Sequence, residues 1–437
     1  MARILTEPLA RALIVESPHQ SLDQYLMGMD ITPKRVDQVP SDQALIDAIR
    51  AHDAQILFKR SRVPVSEEVV TACPSLHVVQ LCCIGSDSVD LSACAEHGVM
   101  VFNDPVSNGR SVVELAVGHL VALSRRLYET DLSTHQGSWE KTNAGRYEIQ
   151  GKKLGIIGLG NIGRAVAKVA EALGMEVWFY DNRPVAQEVG EEMGWAYCDD
   201  MSKLFAGSDM VTVHISAKDA NGNDNVNLLD DHLGALGSER PSTSPRLFLN
   251  LARGNLHTPK ALLDAVGSGA VRRAAVDVYP EEPGPGQKSW DNPYANEPRI
   301  ICTPHIGAAT QEAQPRIARR VSATVEAFNR FGTMRDCVYA PRTKMSVRDH
   351  AKGRVVLAVT HSVSRGTKKA VDDSIFEAGC NNFGSTHRDF STGVAYDLSV
   401  IDRPLDSREL QRFVDRATEL ADDARAIRTI RQINCIG

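Results

Sequence analysis

Four side chains in this sequence could together oxidise an alcohol that lies next to a carboxylate. They are Arg253 in "NLARG", Asp277 and Glu282 in "DVYPEEP", and His305 in "TPHIG". A histidine can take the hydroxyl proton as hydride departs, and return it in the reverse direction. A carboxylate against the imidazole orients it and favours its charged form. A guanidinium grips the substrate carboxylate and polarises the developing carbonyl. Singly, each residue is an ordinary polar group after a strand or in a solvated loop. Jointly they follow successive apolar runs, and ligands of open α/β sheets bind beyond the carboxyl ends of the strands.

Oxidation of this kind needs a hydride acceptor, and a site for one lies upstream. In "KLGIIGLGNIGRAVAKVAEALGMEVWFYDN", Gly158, Gly160 and Gly163 have the G-x-G-x-x-G spacing, with Asn161 and Ile162 between them. The first glycine permits a tight turn, the second admits pyrophosphate to the backbone, and the third lets helix and strand pack closely. "KLGII" predicts the strand before the turn. Ile162, Val166, Val169, Ala170 and Leu173 predict an apolar helix stripe after it. Asp181 ends the next strand, where a carboxylate binds ribose hydroxyls and repels a 2′-phosphate, so NAD is the expected cofactor. Arg183, two residues on, leaves a 2′-phosphate partner as the alternative.

The elements that must position these residues form two α/β series. From Ala12 to Pro105, "ALIVES", "AQILFKRSR", "HVVQLCCIG" and "VMVFNDP" predict strands. "DQALIDAIRAH", "SEEVVTAC" and "DLSACAEHG" predict the helices between them. A long helix, "RSVVELAVGHLVALSRRLYE", leads to the glycine turn. The second series continues through "EVWFYD", "MVTVHIS", "RLFLNLAR", "RAAVDVY" and "RIICTPHI", and a helix of about Gln311 to Phe331 follows. After the basic stretch "PRTKMSVRDHAKG", a β-α-β-β-α-β order predicts a small ferredoxin-like domain.

Composition limits the function classes. The 437 residues suit two or three domains, and a net charge of −6 offers no broad basic field for nucleic acid. The nine cysteines form no C-x-x-C pair and are expected to be free thiols, with Cys82-Cys83 in a buried strand; no metal site is expected. No signal-like amino-terminal segment and no long apolar run occur, so a cytoplasmic enzyme is expected.

With these residues assembled, "GLGNIG", "NLARG", "DVYPEEP" and "TPHIGAAT" resemble the motifs of the D-2-hydroxyacid dehydrogenases, over the chain from near its start to about Gly332. The resemblance implies that Arg253, Glu282 and His305 are catalytic and that Asp277 contacts the nicotinamide carboxamide. The expected cofactor set is Gly158, Gly160, Asn161, Ile162, Gly163, Asp181, His214, Ala252 and Asp277. It also implies why the glycine turn comes late: the family inserts its NAD domain into a split substrate domain.

Substrate must be read from the first series. "ILFKRSRVPV" ends a strand with Lys59, Arg60 and Arg62, charges suited to a doubly anionic ligand. "KRSR", "CCIGSDSVDL", "VFNDPVSNGRSVVEL" and "GSWEKTNAGRYEIQGKKLGIIG" resemble the branch of the family that oxidises D-3-phosphoglycerate to 3-phosphohydroxypyruvate, the first step of serine biosynthesis. By that resemblance Arg60, Ser61 and Arg62 lie at the phosphate, backbone near Ile84, Gly85 and Ser86 holds the carboxylate, and Asn108 lines the site. Lys141 matches a basic residue able to reach a neighbouring subunit's site, and a homodimer or homotetramer is implied. The tail then resembles an ACT regulatory domain. His361 and Asn381 match effector-ligand positions, while Val363 and Arg365 depart from the pattern, which leaves the effector open.

The expected fold class is therefore α/β, with two Rossmann-like or flavodoxin-like doubly wound domains and a C-terminal ferredoxin-like (ACT) α+β domain. The expected boundaries are 1–108 for the first part of the substrate domain, 109–297 for the NAD domain and 298–335 for the return to the substrate domain. A linker at 336–352 and an ACT-like domain at 353–437 complete them. Two other functions fit the same residues: reduction of hydroxypyruvate, glyoxylate or 2-oxoglutarate, and an NAD-sensing binding protein like the carboxy-terminal-binding-protein corepressors.

Overall fold

Apolar runs bounded by turn residues become buried parallel strands throughout the α/β part of the chain. The computed structural model describes residues 2–39, 41–217, 224–283, 289–341 and 343–435. It forms two units, Met1–Pro105 with Gln314–Gly437, and Val106–Ala313.

The Val106–Ala313 unit is built on seven parallel strands. Their order is Ile300–Cys302, Arg273–Val276, Leu247–Asn250, Met210–Val213, Lys153–Ile157, Glu176–Tyr180, Ala196–Tyr197. The chain starts at Lys153–Ile157, steps outward one way, then crosses back to Met210–Val213. That reversal creates a crevice beyond the strand ends. The central strands are buried apart from Lys153 at the start of the first, as expected where helices cover both faces of a parallel sheet. Ile300–Cys302 completes this sheet, so the expected boundary at 297–298 falls too early: the unit runs on to Ala313. The single long helix expected before the glycine turn is two helices, Gly109–Arg125 and Leu127–His135. Arg126 breaks them apart at φ 58°.

The other unit contains two sheets. One is parallel, in the flavodoxin-like order Thr32–Val36, Arg11–Val15, Ile56–Lys59, Val78–Leu81, Met100–Phe102. Thr32–Val36 has no clear sequence signal. It carries Pro33, which an edge strand tolerates. Cys82 follows Val78–Leu81 and is buried, which pushes its thiol up, while Cys83 is half-buried. The helix Ala313–Phe331 adds Ile317, Val321, Val325 and Phe328 to the core of this unit.

The second sheet has the order Arg3–Leu5, Ile427–Asn434, Val355–Ser362, Val394–Ile401, Asn382–Asp389. The last four strands, with helices Thr367–Glu377 and Ser407–Ala421, give the expected ferredoxin-like arrangement. The first strand was not expected: the amino-terminal Arg3–Leu5 pairs in parallel with Ile427–Asn434. The stretch read as a linker, 336–352, is packed. Lys344–Met345 pairs with Met334–Arg335, and Met345, Val347 and Ala351 are buried.

Arg431 joins the two sheets' layers. Its guanidinium donates to the Phe328 and Asn329 carbonyls at 3.3 Å and to Asn329 Oδ1 at 3.2 Å, over the Phe328 ring. Burial pulls its pKa down to about 10, which leaves it charged at neutral pH. Asn329 also accepts the Leu9 N–H and donates to the Leu9 carbonyl, both at 2.9 Å. Asn329→Ala orphans these buried groups together. Chemical denaturation should show a stability loss of about 2–3 kcal/mol, seen as a lower midpoint at unchanged slope.

Candidate active site

The glycine turn has the shape its spacing predicts. Gly158 has φ +91°, and a Cβ there would lie 2.6 Å from Ile215 and 2.8 Å from the His214 carbonyl. A Cβ on Gly163 would lie 2.1 Å from the Gly158 carbonyl, so helix Asn161–Ala172 sits directly on the turn. A Cβ on Gly160 meets nothing within 4 Å. The backbone there opens onto free space at a helix N-terminus, the place for a dinucleotide's pyrophosphate. Within the helix, Val166 and Ala170 are buried and Ile162 and Val169 are half-buried. Leu173 is exposed because the helix ends before it, a correction to the expected stripe.

Asp181 is almost fully buried at the end of Glu176–Tyr180. Its carboxylate accepts the Leu159 N–H at 2.8 Å and the Arg183 N–H at 2.9 Å, and it pairs with the Arg183 guanidinium at 2.6 Å. Burial pushes its pKa up, but the Arg183 and Leu159 hydrogen bonds outweigh that and hold it below the usual carboxylate range. Arg183 is thus paired with Asp181, donating to both carboxylate oxygens. His214, after Met210–Val213, lies beside Gly158 and takes a hydrogen bond with Thr212 at 3.1 Å. Burial lowers its pKa to about 4, so its imidazole is neutral.

Three loops at neighbouring strand ends carry Arg253, Asp277 with Glu282, and His305. After Leu247–Asn250, the Asn250 side chain accepts the Ala252 N–H at 3.0 Å and donates to the Arg253 carbonyl at 2.8 Å. This fixes the turn that presents Arg253. Gly254 is required next: a Cβ there would lie 2.0 Å from the Tyr279 carbonyl of the adjacent loop. Tyr279 in turn donates its hydroxyl to the Val276 and Thr303 carbonyls.

Asp277 is 1% exposed. Its Oδ1 accepts from the Thr303 hydroxyl at 2.6 Å and the Ile306 N–H at 2.9 Å, and Oδ2 accepts from the Gly307 N–H at 2.9 Å. It therefore clamps both sides of the loop that bears His305, while Oδ2 keeps capacity for a further donor. His305 sits at φ +55°, a sparsely populated conformation for a non-glycine residue. Its Nδ1 faces Glu282 at 2.8 and 2.9 Å from the two carboxylate oxygens. A ring nitrogen against a carboxylate carries the proton, so Nε2 holds the lone pair available to a substrate hydroxyl. Glu282 also accepts the Tyr279 N–H at 3.4 Å. Arg253, Asp277, Glu282 and His305 thus occupy adjacent loops of one sheet edge. The sequence reading missed Asn250, Gly254, Tyr279 and Thr303, although a polar residue closing an apolar strand was a visible cue for Asn250.

The residues expected to recognise substrate divide between the units. In the Met1–Pro105 unit, Glu16 accepts the Arg60 N–H at 2.8 Å and the Arg62 N–H at 2.6 Å. Glu16 was missed, and it shapes the "KRSR" turn. Ser61 and Arg62 are exposed and Arg60 is half-buried. Lys59 does not join them. It is fully buried, donating to the Arg60 carbonyl at 2.9 Å and Ser88 at 2.6 Å, with its pKa lowered by burial. The Ile84 carbonyl accepts from Asn103 at 2.7 Å, and Gly85 follows in the same half-buried loop. Asn108 falls in the other unit, at the head of helix Gly109–Arg125, with its Oδ1 buried. Lys141 is exposed.

His361 and Asn381 lie at opposite ends of the carboxy-terminal sheet, His361 opposite Ala395 and Asn381 just before Asn382, which is opposite Ile401. His361 is buried, whereas Asn381 is exposed and donates to Asp402 at 2.9 Å. The two cannot grip one small ligand within a single chain.

Residues 117–307 match the family model of the D-isomer specific 2-hydroxyacid dehydrogenase NAD-binding domain. A curated relative from Escherichia coli K12, named D-3-phosphoglycerate dehydrogenase, is 33% identical over 390 residues, covering 87% of this chain and 89% of its own. One of the same name from Dictyostelium discoideum is 35% identical over 339 residues, covering 77% and 79%. Among solved structures, the TT0316 protein of Thermus thermophilus superimposes with TM-score 0.61 at 27% identity, covering 72% of this chain and 96% of its own. A glyoxylate reductase from Paecilomyes thermophila shares the fold, with TM-score 0.65 at 23% identity over 76% of this chain and 99% of its own. No helix among the described residues is long and apolar enough to cross a membrane.

Gly254→Ala should separate the Arg253 and Tyr279 loops. A displacement of this kind should lower kcat/KM by about 100-fold. Unchanged far-UV circular dichroism would show that the fold survives.

Proposed function

Because the chain belongs to the D-isomer specific 2-hydroxyacid dehydrogenases and carries their NAD-binding domain, we propose that it oxidises D-3-phosphoglycerate to 3-phosphohydroxypyruvate, the first step of serine biosynthesis. The relatives bearing that enzyme's name motivate the substrate. The observation that carries the reading is the turn held by Glu16, which offers two guanidinium groups to a second anionic group on the substrate.

In this mechanism Arg253 binds the substrate carboxylate and polarises the carbonyl that forms. His305 takes the hydroxyl proton at Nε2. Glu282 keeps Nδ1 protonated and stabilises the imidazolium as it forms. NAD, when bound, accepts the hydride. The open backbone at Gly160, the acid at Asp181 and the neutral His214 would hold it, with Asn161, Ile162, Gly163 and Ala252 along the same strand ends and Asp277 towards the nicotinamide. Arg60, Ser61 and Arg62 bind phosphate, Ile84 and Gly85 offer backbone to the carboxylate, and Asn108 lines the site. The carboxy-terminal domain acts as an ACT-type unit in a homodimer or homotetramer, with a regulatory or a dimerising role.

Purified protein should consume NADH with 3-phosphohydroxypyruvate, and more slowly with hydroxypyruvate, glyoxylate or 2-oxoglutarate. Arg60→Ala should raise KM for the phosphorylated acid by about 10-fold or more and leave KM for glyoxylate nearly unchanged. An equal rise for both would move the assignment to an unphosphorylated 2-oxo acid. His305→Ala should lower kcat by about 100- to 10,000-fold. Undiminished turnover by that variant would refute the proton-transfer role.

A further inference from the structure

The carboxy-terminal sheet carries a cluster that the dehydrogenase chemistry does not use. His387 on Asn382–Asp389 is directly opposite Asp397 on Val394–Ile401, and Asp397 is opposite Val359 on Val355–Ser362. His361 is two residues beyond Val359, so all three side chains share one face. Val359 packs with helices Thr367–Glu377 and Ser407–Ala421, which identifies this as the helix-covered face. One ligand atom from each of His361, His387 and Asp397 lies within 4.8 Å of the others. The two imidazoles stack with centroids 5.3 Å apart.

His361 and Asp397 are prepared for coordination, and His387, which faces a carboxylate with each ring nitrogen, releases its Nδ1 proton as the ion binds. His361 donates Nδ1–H to the Ser362 carbonyl at 2.7 Å, which leaves the lone pair on Nε2. That Nε2 is buried and has no hydrogen-bond partner among the described residues. A buried acceptor in that state loses its hydration without replacement, unless something binds there. His387 Nε2 is held by Asp389 at 3.0 Å, which directs Nδ1 at Asp397. Each histidine thus has an outer partner on the nitrogen that would not bind the ion, the usual support for an imidazole ligand. Asp397 is fully buried and supplies the negative charge.

We propose that His361, His387 and Asp397 bind one divalent transition-metal ion. Two imidazole nitrogens and one carboxylate oxygen match the ligand preference of zinc, with water or a small anion in the remaining position. Tetrahedral zinc ligands at about 2.0–2.2 Å from the ion stand about 3.4 Å apart; His387 Nδ1 and Asp397 are already at 3.3 Å, and small side-chain rotations bring in His361. Lys368 now offsets the charge of Asp397 at 3.0 Å. It also pairs with Asp372 at 2.6 Å, and that partner retains the ammonium when the ion takes its place. The site holds this end of the sheet to itself and does not depend on the substrate assignment.

The test uses the full-length protein, dialysed against chelator, loaded with zinc chloride and desalted before elemental analysis. The nine free cysteines are a competing sink, so the comparison is with His387→Gln, a partly exposed position whose change should spare the fold, and with His361→Asn. Wild type should hold one more equivalent of zinc than either variant. Asp389→Asn should weaken binding by about 10-fold, as expected for loss of an outer partner. Cobalt(II) at the site should show ligand-field bands without thiolate charge transfer. Equal zinc content in wild type and His387→Gln, or a cobalt spectrum dominated by thiolate, would overturn the proposal.

Discussion

The buried carboxylate of Asp277 accepts a hydroxyl from Thr303 and the N–H groups of Ile306 and Gly307, and the sheet edge that bears His305 is organised around those three bonds. They clamp the loop on both sides of His305, which permits that residue its left-handed backbone. With the backbone held, the imidazole faces Glu282 with Nδ1 and turns Nε2 away from it. A solvated carboxylate would gain little from such bonds. Inside a low-dielectric core they are strong, and an unpaired N–H there would be expensive.

The same device recurs wherever a loop must be shaped for a ligand. Asp181 accepts the Leu159 N–H and so braces the glycine turn. Glu16 takes the N–H groups of Arg60 and Arg62, which leaves both side chains available while the backbone is fixed. Asp209 accepts the Lys153 N–H at 2.9 Å at the start of the first strand of the nucleotide sheet, with Ser244 and Arg240 completing its shell. In each case a carboxylate distant in sequence holds backbone. Glycine does the complementary work: Gly163 and Gly254 remove the Cβ atoms that would force adjacent loops apart.

The carboxy-terminal part of the chain follows a different logic. Its sheet is antiparallel apart from Arg3–Leu5, a strand from the opposite end of the chain. Arg431 and Asn329 then tie this sheet to the helix Ala313–Phe331 and to Leu9. These are long-range bonds between buried polar groups, strong only because every partner is present. The stretch 336–352 belongs to this packing, since Met345, Val347 and Ala351 are in the core.

The sequence alone determined the parts that depend on local pattern. Alternating apolar runs marked most strands of both parallel sheets, the glycine spacing marked the nucleotide turn, and β-α-β-β-α-β marked the tail. Arg253, Asp277, Glu282 and His305 were legible because each follows a strand that the apolar pattern reveals. What escaped lacked such a pattern or lay far away in sequence. Thr32–Val36 is a short edge strand containing proline, and Arg3–Leu5 gains its partner only from the far end of the chain. Lys59 looked like a companion of Arg60, yet it closes a strand whose residues are all buried, and it goes into the core with them. Glu16 gave no local sign of holding the "KRSR" turn, and the approach of His361, His387 and Asp397 follows from strand register. Sequence pattern records which residues a local backbone period exposes or buries. Tertiary structure decides which distant groups share a face, because hydrogen bonds and buried charges need their partners within a few ångströms.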